Sequence, residues 1–115
     1  MTLEDLKTHC LAFPFSTWDF PFNDETAVFR VGGRIFALCG IRTIPLRVNL
    51  KCEPALARDL RRSYPDITPG WHMNKEHWNT VNIEGSLDRE FIEGLISHSY
   101  ELVKKSLPKS IRTDH

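Results

Sequence analysis

Three stretches of the chain repeat their hydrophobic residues at helical spacing. The first follows Thr2, which together with Asp5 forms the capping-box pattern of a helix start. The second begins at Pro54, and the third occupies residues 87–103 as a wide apolar stripe. On the second helix, the spacing places three side chains against the core: Leu56, Leu60 and Tyr64. The pattern therefore predicts three helices.

Alternating apolar and polar positions predict strands between the first and second helices. Two β-rich runs, at 27–31 and 34–39, flank Gly32-Gly33, and two glycines suit a two-residue hairpin loop that requires positive φ angles. A run around Trp18 contains Pro21, which favours the edge of a sheet because proline cannot donate a ladder hydrogen bond.

Residues 45–51 alternate strictly and predict a one-sided strand. Its core-facing side chains are Leu46, Val48 and Leu50. Prolines and a glycine interrupt residues 65–70, which predicts a loop, and strands follow at 71–73 and 77–83. Alternation in the last of these strands turns Val81 inward and Trp78 outward.

These elements predict an α+β fold with two layers. Since no strand alternates with a crossover helix, the sheet of five or six strands is expected to be antiparallel, with the three helices on one face. The length of 115 residues suits one domain, which ends in a polar tail at about 109–115.

Composition and cysteine content favour a cytoplasmic protein. Three widely spaced cysteines are an odd number and indicate free thiols in a reducing compartment. The sequence starts with acidic residues rather than a signal-peptide pattern, and its apolar runs are far shorter than the ~20 residues of a membrane span. We expect no membrane association, and a monomer is favoured.

Charge is balanced overall but concentrated locally. Fifteen basic and fifteen acidic residues cancel, yet residues 28–62 carry eight Lys or Arg and only two Asp or Glu. A local basic patch can attract a phosphate backbone even on a neutral protein, although a solvated surface is an equally good interpretation. The candidate phosphate contacts are Arg42, Arg47, Lys51, Arg58 and Arg62, and Arg61 belongs to the same cluster.

A second candidate site is the segment 70–80, which is dense in aromatic, amide and basic side chains. Such residues supply stacking faces and hydrogen-bond donors for a nucleotide or another planar anion. The alternative is that they hold a loop together through hydrogen bonds to its backbone. The candidate recognition residues are Trp71, His72, Asn74, Lys75, His77 and Trp78.

The same residues argue against a metal centre and against catalysis. His72 and His77 have no adjacent Cys or Asp to complete a ligand set, and the segment lacks a nucleophilic Ser or Cys. Cys52 precedes a helix beside Lys51, where an exposed thiol would have a lowered pKa, but a buried and inert cysteine is favoured. No cofactor, metal or enzymatic activity is expected.

Five strings of the sequence resemble the YjbR/MmcQ family of small bacterial proteins. They are Phe29-Arg-Val-Gly-Gly-Arg-Ile-Phe-Ala-Leu38, Leu50-Lys-Cys-x-Pro54, Leu60-Arg-Arg-Ser-Tyr-Pro65, Pro69-Gly-Trp-His-Met-Asn-Lys-x-His-Trp-Asn-Thr-Val81 and Ser99-Tyr-x-Leu-Val103. The resemblance covers nearly the whole chain, and the His-Met-Asn-Lys-x-His-Trp block is its most specific part. It implies a fold similar to CyaY-like and secretion-chaperone-like domains.

The resemblance also implies DNA binding, an assignment that in this family rests largely on fold and surface charge. The leading expectation is therefore a non-enzymatic DNA-binding or nucleic-acid-binding module with a regulatory role. The alternatives are a small-ligand or anion-binding protein that uses the His-Met-Asn-Lys-x-His-Trp loop, and an adaptor for a protein partner.

Overall fold

A computed structural model describes residues 1–108, so the predicted polar tail at 109–115 lies outside the described residues. The helices are α1 (Leu3–Leu11), α2 (Pro54–Ser63) and α3 (Arg89–Lys105). The strands are β1 (Ser16–Asp19), β2 (Thr26–Val31), β3 (Arg34–Gly40), β4 (Arg47–Lys51), β5 (Ile67–Pro69) and β6 (Trp78–Asn82).

The six strands form one antiparallel sheet in the order β1-β2-β3-β4-β6-β5. This confirms the predicted α+β fold, and β1, the strand before Pro21, lies at an edge as expected. None of the helices within residues 1–108 combines the length and the apolar character needed to cross a lipid bilayer.

Local sequence signals form the structures they predict. Thr2 accepts a hydrogen bond from the Asp5 backbone, and the Asp5 carboxylate accepts one from the Thr2 backbone, which completes the capping box of α1. Gly32 and Gly33 join β2 to β3 with φ angles of 57° and 81°. Only glycine adopts two successive positive φ angles readily, so this pair fixes the hairpin and its register.

The core lies between the sheet and the three helices. β4 contributes Val48 and Leu50 to it, and Leu46 directly before β4 is buried with them, as the alternation predicts; β6 contributes Val81. The prediction for α2 is wrong at Leu56, which is 38% exposed. The helix instead buries Ala57 and Leu60 where it packs against β5 and the core.

The chain between α2 and β6 differs from its predicted form. The expected loop at 65–70 contains β5, whose Ile67 is buried in the core, and the expected strand at 71–73 is a turn. Two features explain the turn. Gly70 packs directly against Trp78, and His72 has a φ of 60°, which ends any extended conformation.

The sheet therefore has two unlike faces. One face is covered by the helices, and the other, here called the open face, carries the alternate side chains of the central strands. Loops rather than helices border the open face. Polar strand residues and loop residues share a large concave surface there.

Candidate functional site

A cavity of about 620 Å³ occupies the open face of the sheet. Its floor is formed by side chains of β2, β3, β4 and β6, and its walls are formed by three loops. The lining residues are Phe22, Asn23, Glu25, Thr26, Ile35, Leu38, Gly40, Arg42, Thr43, Arg47, Asn49, Trp71, His72, Met73 and Thr80.

The floor follows from strand register. Leu38 of β3 is paired with Asn49 of β4, and Asn49 is paired with Thr80 of β6, so the three side chains form one row across the sheet. Arg47 lies two residues before Asn49 and shares its face. The floor is consequently apolar on the β3 side, where Ile35 also lies, and polar on the β4 and β6 side.

The walls rise from opposite ends of the sheet. The β4–β6 register places Arg47 near Asn82 and Lys51 near Trp78, so the β3–β4 loop and the β5–β6 loop leave β4 and β6 at different ends. The β3–β4 loop contributes Arg42 to the cavity lining. The β5–β6 loop, residues 70–77, reaches over the floor because the Trp71 backbone N–H donates to the Thr80 hydroxyl at 3.0 Å.

Two large aromatic side chains stand at the cavity rim. Phe22 and Trp71 are each 65% exposed, whereas Trp18 and Trp78 are half-buried. The Trp71 and His72 ring centroids are 4.3 Å apart, so the two rings form one tilted aromatic pair. The rim therefore presents flat apolar surface to anything that enters the cavity.

The charge of the lining is predominantly positive. Arg42 and Arg47 both line the cavity, and in the described chain neither guanidinium has an acidic partner within 4 Å. Glu25 is the one acidic residue among the lining residues. Two arginines without ion-pair partners beside a concave surface favour an anionic occupant.

The β5–β6 loop is held in place from behind by Arg61 of α2. Its guanidinium donates to Asn79 Oδ1 at 2.6 Å, to the Lys75 carbonyl and to the Trp78 carbonyl. Asn79 is only 2% exposed, so Arg61 also satisfies a buried amide oxygen. We call these contacts the Arg61 clasp.

Further hydrogen bonds fix the loop internally. Asn74 Oδ1 accepts from the Glu76 backbone at 2.9 Å, which is an Asx turn, and Lys75 Nζ donates to the Gly70 carbonyl at 3.1 Å. The Gly70 backbone donates to the Trp78 carbonyl at 2.8 Å and closes the base of the loop. The loop is therefore a well-braced turn that carries Trp71 and His72 at its exposed side.

The structure separates the predicted recognition residues into two groups. Trp71 and His72 line the cavity, and so does Met73, which belongs to the same sequence block but is not among the predicted recognition residues. The other members, Asn74, Lys75, His77 and Trp78, lie outside the lining. The side chains of Asn74 and Lys75 form hydrogen bonds with the backbone of the same loop, and the backbone N–H groups of His77 and Trp78 donate to the Asn74 carbonyl.

The predicted phosphate contacts are likewise divided. Arg42 and Arg47 lie together at the cavity, whereas Arg58 and Arg62 lie on α2 in the helix layer, where Arg62 pairs with Asp59. Lys51 ends β4 and shares the open face with Arg47, but it does not line the cavity. Arg61 is occupied by the clasp.

Sequence reasoning missed most of the floor and one wall. Strand alternation could have indicated Asn49 and Thr80, since both are polar residues on the outward face of adjoining strands. Thr80 is nevertheless only 8% exposed, because the β5–β6 loop covers it. Phe22 carries no such signal, since nothing in a single sequence shows that the β1–β2 loop meets residues fifty positions away.

The cysteines offer no nucleophile to this site. All three are buried free thiols, and burial raises the pKa to about 12 for Cys10 and Cys39 and to about 11 for Cys52. The preference for a buried Cys52 is therefore confirmed. Among residues 1–108, no three His, Cys, Asp or Glu side chains are arranged to hold a metal ion.

The described chain is a two-layer α+β domain with a loop-walled cavity on the open face of its sheet. The family model described as YjbR matches residues 11–102. The chain belongs to the YjbR family.

Two relatives from Escherichia coli are similar over most of their own length. The uncharacterized protein YbdF of Escherichia coli O157:H7 is 37% identical over 107 residues, 92% of this chain and 87% of that protein. The uncharacterized protein YjbR of Escherichia coli K12 is 32% identical over 114 residues, 97% of this chain and 95% of that protein.

Two solved structures are similar. The crystal structure of Deinococcus radiodurans protein DR2400, with the domain label DUF419, has a TM-score of 0.91 at 42% identity, and covers 96% of this chain and 85% of that one. A crystal structure of a Pseudomonas syringae protein has a TM-score of 0.77 at 31% identity, and covers 90% of this chain and 99% of that one.

Proposed function

We propose that the protein binds a small, planar organic anion in the open-face cavity and acts by binding rather than by catalysis. One observation carries the proposal: two arginines without ion-pair partners and two exposed aromatic rings converge on a single concave surface. The cavity volume of about 620 Å³ is in the range of small-molecule sites.

The chemistry of the lining favours a ligand with two unlike parts. Guanidinium groups form strong, charge-assisted hydrogen bonds with carboxylates and phosphates, and Arg42 and Arg47 supply them. Trp71 and Phe22 offer flat apolar surfaces, on which a planar ring can stack while it displaces water. A small ion such as chloride or sulfate would leave the aromatic rim unused.

The division of the basic residues favours a small ligand over duplex DNA. A duplex is bound by basic side chains that follow one surface, whereas Arg47 and Arg58 belong to different layers of this fold. DNA binding therefore stays a prediction from the basic segment of the sequence. The concave site requires only Arg42 and Arg47, which already lie together.

The contacts of His72 also fit a binding role. A general base needs a hydrogen-bonded partner that fixes its orientation and tautomer. Among residues 1–108, the His72 ring pairs with the Trp71 ring and has no hydrogen-bond partner that would hold it in this way. His72 therefore serves as part of the aromatic rim.

The proposal predicts that Arg47→Gln weakens the binding of an aromatic acid. Quinoline-4-carboxylate, titrated calorimetrically, is expected to bind Arg47→Gln at least roughly tenfold more weakly than the original protein, because one charged hydrogen bond is lost. Arg42→Gln should behave in the same way.

The matched control is Arg58→Gln, which removes an exposed arginine of α2 outside the cavity and should leave the affinity unchanged. Duplex DNA provides the opposing outcome. Two results together would overturn the proposal. DNA would bind more tightly than any aromatic acid, and the slope of log K against log salt concentration, about −0.9 per contacted phosphate, would become less steep in Arg58→Gln and Arg62→Gln.

A further inference from the structure

The floor of the cavity contains a hydrogen-bonded pair whose geometry defines what a ligand can present there. Thr80 receives a hydrogen bond from the Trp71 backbone at 3.0 Å and donates its own hydroxyl proton to Asn49 Oδ1. A hydroxyl has a single proton to give. The Thr80 donor is therefore consumed within the protein.

This arrangement fixes the orientation of the Asn49 amide. Since Oδ1 faces Thr80, the Nδ2 group with its two N–H donors must point away from Thr80. Among residues 1–108, no group accepts a hydrogen bond from Asn49 Nδ2. Asn49 is half-buried and lines the cavity, so its unused donor is available to an occupant of the cavity.

The surroundings of Asn49 restrict the chemical class of the ligand further. On the β3 side, Asn49 is paired with Leu38, and Ile35 lies beside Leu38. These two side chains offer only apolar surface. Along its own strand the next residue on the same face is Arg47. An occupant that lies on this floor thus meets an apolar surface, one amide donor and one guanidinium in close succession.

From these contacts we infer that the ligand is a heteroaromatic anion whose ring presents a hydrogen-bond acceptor, a ring nitrogen or ring carbonyl, to Asn49 Nδ2 while its acid group lies at Arg42 and Arg47. Asn49 is the specificity-determining residue of the site. The inference rests on the proposed function and deepens it, because it states which planar anions the cavity selects. Nucleotides and heteroaromatic carboxylates share this chemistry.

A matched pair of probes tests the role of the donor. Quinoline-4-carboxylate and 1-naphthoate have the same bicyclic frame and the same charge, and they differ in one ring atom, which is a hydrogen-bond acceptor only in quinoline. The protein should bind the quinoline acid roughly threefold to tenfold more tightly, the value of one neutral hydrogen bond. The preference should vanish in Asn49→Ala.

Asn49→Asp provides a second variant that retains the contact with Thr80. Its carboxylate can still accept the Thr80 proton, but it offers no donor to the ring and adds a negative charge. Both acids should bind this variant more weakly and with equal affinity. The ratio of the two affinities isolates the donor from the charge, since charge affects both probes alike.

The outcomes separate this inference from the proposed function. If both acids bind the original protein equally, or if their ratio survives in Asn49→Ala, the inference is overturned while the anion site stands. If neither acid binds and adenosine 5′-monophosphate does not bind either, both are overturned. If the nucleotide binds more tightly than the quinoline acid and its binding depends on Asn49, the inference holds with phosphate as the acid group. If the quinoline acid binds more tightly than the nucleotide, the inference holds with carboxylate as the acid group.

Discussion

Replacing Arg61 with alanine is expected to lower the free energy of unfolding by about 2–4 kcal/mol, because it removes charged hydrogen bonds and leaves buried Asn79 without its partner. Few single surface positions of a domain this size have such an effect. The β5–β6 loop should also detach from α2, so quinoline-4-carboxylate should bind the variant more weakly. Urea denaturation followed by tryptophan fluorescence measures the loss of stability.

Two variants of α2 serve as controls. Arg58→Ala removes an exposed arginine of the same helix and should change the stability by less than about 0.5 kcal/mol. Arg61→Lys keeps the charge but cannot reproduce three hydrogen bonds from one planar group, so it should recover only part of the loss. Equal stability of Arg61→Ala and Arg58→Ala would show that the clasp does not stabilise the fold.

Replacing Gly70 with alanine is the second change with a large expected effect. A β-carbon at this position would lie 2.7 Å from Trp78 Cβ and 2.9 Å from the Trp78 carbonyl oxygen, closer than real β-carbons approach other atoms. The neighbour is β6 itself, which cannot move aside without breaking its ladder. We expect a loss of about 1–3 kcal/mol, together with a displaced loop and weaker ligand binding.

Gly94 is the matched control for this substitution. It lies exposed within α3, and a β-carbon there would meet no atom within 4 Å. Gly94→Ala should therefore raise the stability by about 0.5–1 kcal/mol, since alanine is the better helix former. If thermal melts showed the two alanine variants to be equally stable, close packing of Gly70 against Trp78 would not be what shapes the loop.

Sequence predicted the parts of the fold that are determined by neighbours along the chain. The capping box of Thr2 and Asp5 and the hairpin at Gly32-Gly33 each depend on residues within a few positions, and both are present. β4 follows from the alternation of residues 45–51. Local rules are sufficient where the partner groups are close in sequence.

The errors occur where a distant contact decides the outcome. The turn at 71–73 forms because Gly70 meets Trp78 and because Arg61, on the preceding helix, holds the loop. Single-sequence patterns carry no record of these pairings. Leu56 has helical spacing like that of Leu60, and only the packing of α2 on the sheet shows which of them is buried.

The candidate site was predicted in part for the same reason. The composition of the segment 70–80 indicates a candidate site, and two of its predicted recognition residues line the cavity. Composition could not show that Arg61 and Lys75 serve the loop while Arg47 and Asn49 face the cavity. That distinction depends on strand register and on which layer each side chain joins.

The most direct test of the account is a ¹H–¹⁵N correlation spectrum recorded during titration with quinoline-4-carboxylate. The account predicts saturable shifts at the backbone amides of Leu38, Asn49 and Thr80 and at the Trp71 indole N–H, with α2 unchanged. Shifts confined to α2 around Arg58, or no saturable shift at any cavity residue, would contradict it.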